Sequence, residues 1–196
     1  MSRTTILVLV ALGAALAGFT LSTNARRVQD DPPAPRQRAA AIPQKVTLDW
    51  REAYGPEGQK LVFSVDALEV LPDGWRARVG LENETSVPYE VTGPGSSLNH
   101  PFGLMLFESG ELAELERLNE SNALPAARPA TRYEPSLPVV LEPGDSWAGT
   151  ISAPGALVAD SWVRVQFPAV VSVGTPPEEL DEVIGWITDH TYHLRG

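Results

Sequence analysis

The strongest pattern in the chain is a period of two. In "KLVFSVDALEVL" (60–71), Leu61, Phe63, Val65 and Ala67 share one face, after which the apolar phase moves to Leu68 and Val70. Pro72-Asp73-Gly74 is a turn signal. "WRARVGLE" (75–82) then alternates cleanly, with Trp75, Ala77, Val79 and Leu81 on one side and Arg76 and Arg78 on the other. Such alternation predicts half-buried antiparallel strands. "NETS" (83–86) turns the chain, 87–92 continues as strand, 93–101 is a loop, and "FGLMLFE" (102–108) is a strand. Further strands are expected at 139–141, 146–153 and 161–173, with Pro143-Gly144 and Pro154-Gly155 as turns. In the last of these, Trp162, Arg164 and Gln166 oppose Val163, Val165 and Phe167.

One stretch departs from the period. Leu112, Leu115 and Leu118 recur every third residue among Glu and Ala in 111–120, which predicts a short helix. A loop containing several prolines follows through 138. About seven or eight short strands and one short helix predict an all-β fold, an immunoglobulin-like antiparallel β-sandwich over residues 46–196. A domain of that size buries roughly two-thirds of its unfolded surface, and its Trp and Phe residues are the simplest core.

The first segment is different in kind. "MSRTTILVLVALGAALAGFTLSTNA" (1–25) has Arg3 at its start, an uncharged apolar run over 6–21, and small residues Thr23 and Ala25 before a possible cut. This is the pattern of an export signal. Two fates fit it: cleavage after Ala25, or retention of 6–21 as a membrane anchor with Arg26 and Arg27 as its flank. Residues 26–45 are rich in Pro, Ala and charge and lack apolar periodicity, so they are expected to be a disordered linker or stalk. The expected location is therefore extracytoplasmic, either secreted or anchored in the cell envelope.

Charge and composition narrow the function. There are 15 Lys and Arg against 25 Asp and Glu, a net charge of −10, which disfavours nucleic acid as a partner. The chain has no cysteine, so thiol catalysis, disulfides and thiolate metal sites are excluded.

Candidate chemistry concentrates at the end of the chain. "WITDHTYHL" (186–194) packs Asp189, His190 and His193 into five residues. Its β-branched and aromatic content predicts a closing strand. On a strand His190 and His193 point to opposite faces, and Asp189 lies roughly 13 Å from His193 along the backbone. Ligands of one zinc ion must each approach it to about 2 Å, so this strand alone does not chelate. His100 lies near Ser96 and Ser97, but "GPGSS" is not a nucleophile elbow. Glu108, Glu111, Glu114, Glu116 and Glu120 form one acidic group, and Glu178, Glu179, Asp181 and Glu182 another; both read as solvated faces suited to a cation or a basic surface. Asn83-Glu84-Thr85 and Asn119-Glu120-Ser121 match the glycosylation sequon and are read as turn residues. No catalytic, cofactor-binding or metal-binding residue is assigned, no cofactor is expected, and the chain is not expected to be an enzyme.

Three segments, "VGLENETSVPYEV" (79–91), "FGLMLFESGELAEL" (102–115) and "LEPGDSWAGTISA" (141–153), together resemble immunoglobulin-like domains of bacterial exported proteins. They are most similar to the intracellular proteinase inhibitor (BsuPI-type) domain family. The resemblance implies a β-sandwich and a protein-binding or inhibitor-like role; residues 112–137 stand as an insertion relative to it. The expected function is a non-catalytic exported module that binds another protein of the cell envelope. The alternatives are a protease inhibitor acting through 93–101 or 121–138, and a cation-binding protein or hydrolase using the acidic groups.

Overall fold

The computed structural model describes residues 38–93, 98 and 100–196. The leader, the linker up to residue 37, and Ser96 and Ser97 lie outside the described residues. Among the described residues no helix is long and apolar enough to cross a membrane.

The hairpin expected at 60–82 is the centre of the first sheet. Strand β2 (Leu61–Leu71) pairs antiparallel with β3 (Gly74–Asn83), from Leu61 opposite Asn83 to Leu71 opposite Gly74. The register slips between Val65 and Ala67, so Asp66 is an extra residue on β2. That bulge is the physical reason for the change of apolar phase after Val65, because one added residue sends every later side chain to the other face. Strand β1 (Gln44–Tyr54) lies on the free side of β2, with its own bulge between Thr47 and Trp50, where Asp49 takes φ 49°. Residues before 46, expected in the linker, also pack on the domain: Ala40 bridges Val158, and Ala41 is buried. On the other side of β3 lie β9 (Ser146–Pro154) and then β7 (Arg132–Glu134), giving the order β1-β2-β3-β9-β7.

The opposing strands are shorter. They comprise β4 (Tyr89–Val91), β5 (Gly103–Phe107), β6 (Arg128–Pro129), β8 (Val140–Leu141), β10 (Trp162–Gln166), β11 (Val170–Ser172), β12 (Val183–Ile184) and β13 (Tyr192–His193). They form two four-stranded sheets, β13-β10-β5-β6 and β12-β11-β4-β8. All pairings are antiparallel, and the result is a β-sandwich-like all-β fold with thirteen strand segments among the described residues, not seven or eight. Two corrections account for much of the excess. The strand expected over 161–173 breaks at Phe167-Pro168-Ala169: Pro168 has no amide to donate, while Phe167 N donates to Trp186 O and Ala169 N to His100 O. The closing strand expected through 186–194 is also broken, with Ile187 making a single bridge to Gln166 between β12 and β13. The proline loop supplies the edge strands β6 and β7, where proline is tolerated.

The main core is aromatic where the layers meet. Phe63 stacks on Trp186 at 5.1 Å and meets the edge of Phe167 at 5.2 Å, and Phe167 packs on Phe102 at 5.1 Å. Helix α1 (Leu112–Glu120) forms where the three-residue leucine spacing predicts it. Leu115 packs with Met105 and Phe107 of β5 in a second, smaller cluster that also receives Leu118, Leu124, Trp162 and Ile187. The β5–β10 sheet is thus covered on both sides. That is why Arg164 and Gln166, opposite the valines, are buried instead of facing water.

Candidate functional site

Two buried charged residues hold the segment 186–191. Glu52, on β1, is 9% exposed. Its Oε2 accepts from Trp186 Nε1 at 2.7 Å and from the Asp189 amide at 3.1 Å. Its Oε1 accepts from the His190 amide at 3.1 Å and from His190 Nδ1 at 2.6 Å. A carboxylate has no proton to offer at neutral pH, so Nδ1 is the protonated ring nitrogen here. The imidazole also stacks on Trp50, with centroids 5.7 Å apart.

From the β10 side, the fully buried Arg164 guanidinium donates to four backbone carbonyls. Nη1 donates to Thr188 O and Asp189 O; Nη2 donates to Gly110 O at 3.1 Å and Glu111 O at 3.3 Å. Burial lowers the Arg164 pKa from its ordinary value, opposed by the charges of Asp189 and Glu52. Arg164 therefore ties the segment before α1 to 188–189, and Glu52 ties the same residues to β1. Thr188 completes the arrangement: its hydroxyl donates to His190 O at 3.0 Å and accepts from Val165 N at 3.0 Å. Arg164 is bonded to four peptide carbonyls, and Glu52 to two peptide amides and two side-chain N–H groups, and such bonding makes a buried charge tolerable.

The expected candidates are dispersed. His193 packs on Trp162 at 4.7 Å, away from His190, which is held by Glu52 and Trp50. The Glu52–His190 pair resembles the acid–base half of a hydrolytic triad. A triad also needs a nucleophile bonded to the other ring nitrogen; the one hydroxyl bonded to His190 among the described residues, that of Thr188, reaches its carbonyl instead. Among the described residues no three His, Asp or Glu side chains are grouped so as to hold a metal ion. In the first acidic group Glu108 pairs with Arg38, and Glu114 with Arg117 at 2.8 Å, while Glu111, Glu116 and Glu120 are exposed. In the second, Asp181 accepts from Tyr54 OH at 3.2 Å and its neighbours are exposed. Asn83 is fully buried: Nδ2 donates to Val87 O and Leu141 O at 2.8 and 2.9 Å, and Oδ1 accepts from Thr85 N and Oγ1 at 3.0 and 2.7 Å. It is the last residue of β3 and stands at the centre of the network that starts the turn.

The pinned segment forms one wall of a cleft of about 350 Å³. Leu112, Leu115, Glu116 and Asn119 of α1 form the other wall, with Leu124 beyond the helix. Trp186, Ile187 and Asp189 face them, and His100 and Gly185 close one end. The residue at 185 must be small, because a Cβ there would lie 3.0 Å from His100 Nε2. Burial pushes the His100 pKa below its ordinary value, and its shielded Nε2 has no hydrogen-bond partner among the described residues.

The sequence reading missed Glu52 and Arg164. The available signal was Arg164 itself, a lone cation inside the apolar run 162–167, but alternation assigned it to an open face because the cover from α1 was not visible. No protein-family model, curated protein or solved structure matches the chain.

Proposed function

We propose that this chain is a non-catalytic, exported immunoglobulin-like module that binds another protein of the cell envelope. Export is inferred from the leader pattern of residues 1–25, and the immunoglobulin-like reading from the antiparallel sheets together with the sequence resemblance. The observation that carries the binding role is the use made of the strongest charged groups. Arg164 bonds four backbone carbonyls, and Glu52 bonds two backbone amides and the Trp186 and His190 side chains, so both shape the wall of an open, largely apolar cleft. Concave apolar surface with a few placed polar groups is what recognition sites offer.

The test is photo-crosslinking in the native envelope, with a photoreactive residue placed in turn at exposed positions over residues 38–196. Specific capture of one protein from a contiguous set of positions is expected. Absence of capture at every position, together with hydrolysis of a peptide, ester or glycoside that is lost in His190→Ala, would replace the module with an enzyme.

A further inference from the structure

The cleft between α1 and the pinned segment has a chemical character that names its occupant. Its walls are apolar, from Leu112 and Leu115 on the helix and Ile187 opposite, whereas the neighbouring Trp186 indole is stacked on Phe63 in the main core. Leu112 is 43% exposed although it lies on the helix stripe that elsewhere packs inward. The rim is anionic: Glu116 on one side and Asp189 on the other, both exposed, and neither in an ion pair among the described residues. The volume, about 350 Å³, lies at the lower end of the range of roughly 300–1,000 Å³ typical of ligand pockets. It suits one or two side chains better than a large cofactor.

We infer that the cleft seats a segment of a partner protein that presents an apolar side chain next to a lysine or arginine. The apolar side chain enters between Leu112, Leu115 and Ile187. The neighbouring cation is held between Glu116 and Asp189. This rests on the binding-module reading and adds to it the place and the chemistry of the partner. The acidic rim selects against carboxylate neighbours, because specificity follows from repulsion as much as from attraction.

The experiment is amide-shift mapping by NMR on the isotopically labelled chain as purified from its host, titrated with capped tetrapeptides Gly-Leu-Lys-Gly, Gly-Leu-Glu-Gly and Gly-Ala-Lys-Gly. Expected are shifts confined to 112–119 and 185–189 with the Leu-Lys peptide. Its affinity should exceed that of the Leu-Glu peptide by roughly fivefold, the scale of an exposed ion pair, and that of the Ala-Lys peptide by about as much through the apolar surface that alanine does not bury. Glu116→Lys, on the exposed side of α1, should reverse the preference between the Leu-Lys and Leu-Glu peptides while leaving the rest of the amide spectrum unchanged. Equal response to all three peptides, shifts elsewhere, or an unchanged preference in Glu116→Lys would overturn the proposal. Shifts of the same amides that grow with protein concentration and need no peptide would place a second copy in the cleft and overturn it as well. Crosslinking to a partner from other surfaces, with no response in the cleft, would sink this assignment and leave the binding module standing; failure of both would sink both.

Discussion

Replacing Glu52 by glutamine tests whether the closing segment is held by charge. The substitution keeps the side-chain shape and removes one acceptor. In the native protein four donors converge on the two oxygens: Trp186 Nε1 and the Asp189 amide on Oε2, His190 N and Nδ1 on Oε1. A carboxamide offers one oxygen and one NH2, so in either orientation a pair of donors faces another donor. Leaving a buried donor unpaired costs about 1–3 kcal/mol. The segment is partly open to water, which recovers part of this, so the two together are expected to cost about 2–4 kcal/mol. At about 2–4 °C per kcal/mol for a domain of this size, the melting temperature should fall by about 4–16 °C. The assay is urea unfolding at neutral pH, followed by tryptophan fluorescence and far-ultraviolet circular dichroism. Glu82→Gln is the control: Glu82 pairs with Arg51 at 2.7 Å, but the two side chains are 34% and 55% exposed, and such a pair contributes about 0–1 kcal/mol. If Glu52→Gln costs no more than Glu82→Gln, the carboxylate does not anchor the segment and the account of the cleft wall fails.

Asn83→Ala removes two donations and two acceptances inside a fully buried turn, and should cost about 2–4 kcal/mol in urea unfolding with no change in slope; a cost below about 1 kcal/mol would contradict its central role. Burial holds the His100 pKa below its unfolded value of about 6.5, so above that pH the ring is neutral in both states, whereas at lower pH the unfolded chain binds the proton first. Stability should therefore fall as pH drops from 7 to 5, by more in the native protein than in His100→Gln; parallel pH profiles would show that His100 contributes nothing. Gly185→Ala places a methyl 3.0 Å from His100 Nε2 and should cost about 1–3 kcal/mol by crowding, read as a lower melting temperature; a neutral result would mean the ring swings aside freely.

The fold was legible where its determinants are local. The β2–β3 hairpin follows from two alternating runs and the Pro72-Asp73-Gly74 turn, and even the bulge at Asp66 is written in the sequence as a slip of phase. Helix α1 follows from leucines three apart. What was not legible depends on distant partners. Trp162–Gln166 looks half-buried by alternation but is covered on its second side by α1, so Arg164 lies at 0% exposure. The run 161–173 looks like one strand because its propensities are uniform, yet a single proline lets its two halves join different sheets. Gln44–Tyr54 keeps a period of two through its bulge, with Val46, Leu48, Trp50 and Tyr54 turned inward, but the buried Glu52 takes one of the inward positions and interrupts the apolar series.

The candidate site shows the same division more sharply. Asp189, His190 and His193 drew attention because ligand-type residues stand close together in sequence, and closeness in sequence is the least informative property of a site built from long-range contacts. Glu52 reaches Trp186, Asp189 and His190 across sequence separations of 134, 137 and 138 residues. Arg164 reaches the segment before α1 across 53 and 54 residues. The physical demand was nevertheless present in the sequence. A closing segment that leaves the sheet ladder between Ile187 and Tyr192 must find other partners for its peptide groups, since buried donors and acceptors are seldom left unpaired. Glu52 supplies the acceptors for the Asp189 and His190 amides, and Arg164 supplies the donors for the Thr188 and Asp189 carbonyls. The two opposite charges substitute for the missing strand neighbours on either side. A ladder would have carried 186–191 on as a strand; the charged clamps hold it beside the sheet instead, with the Trp186 indole on Phe63 in the main core and Ile187 against the cluster below α1.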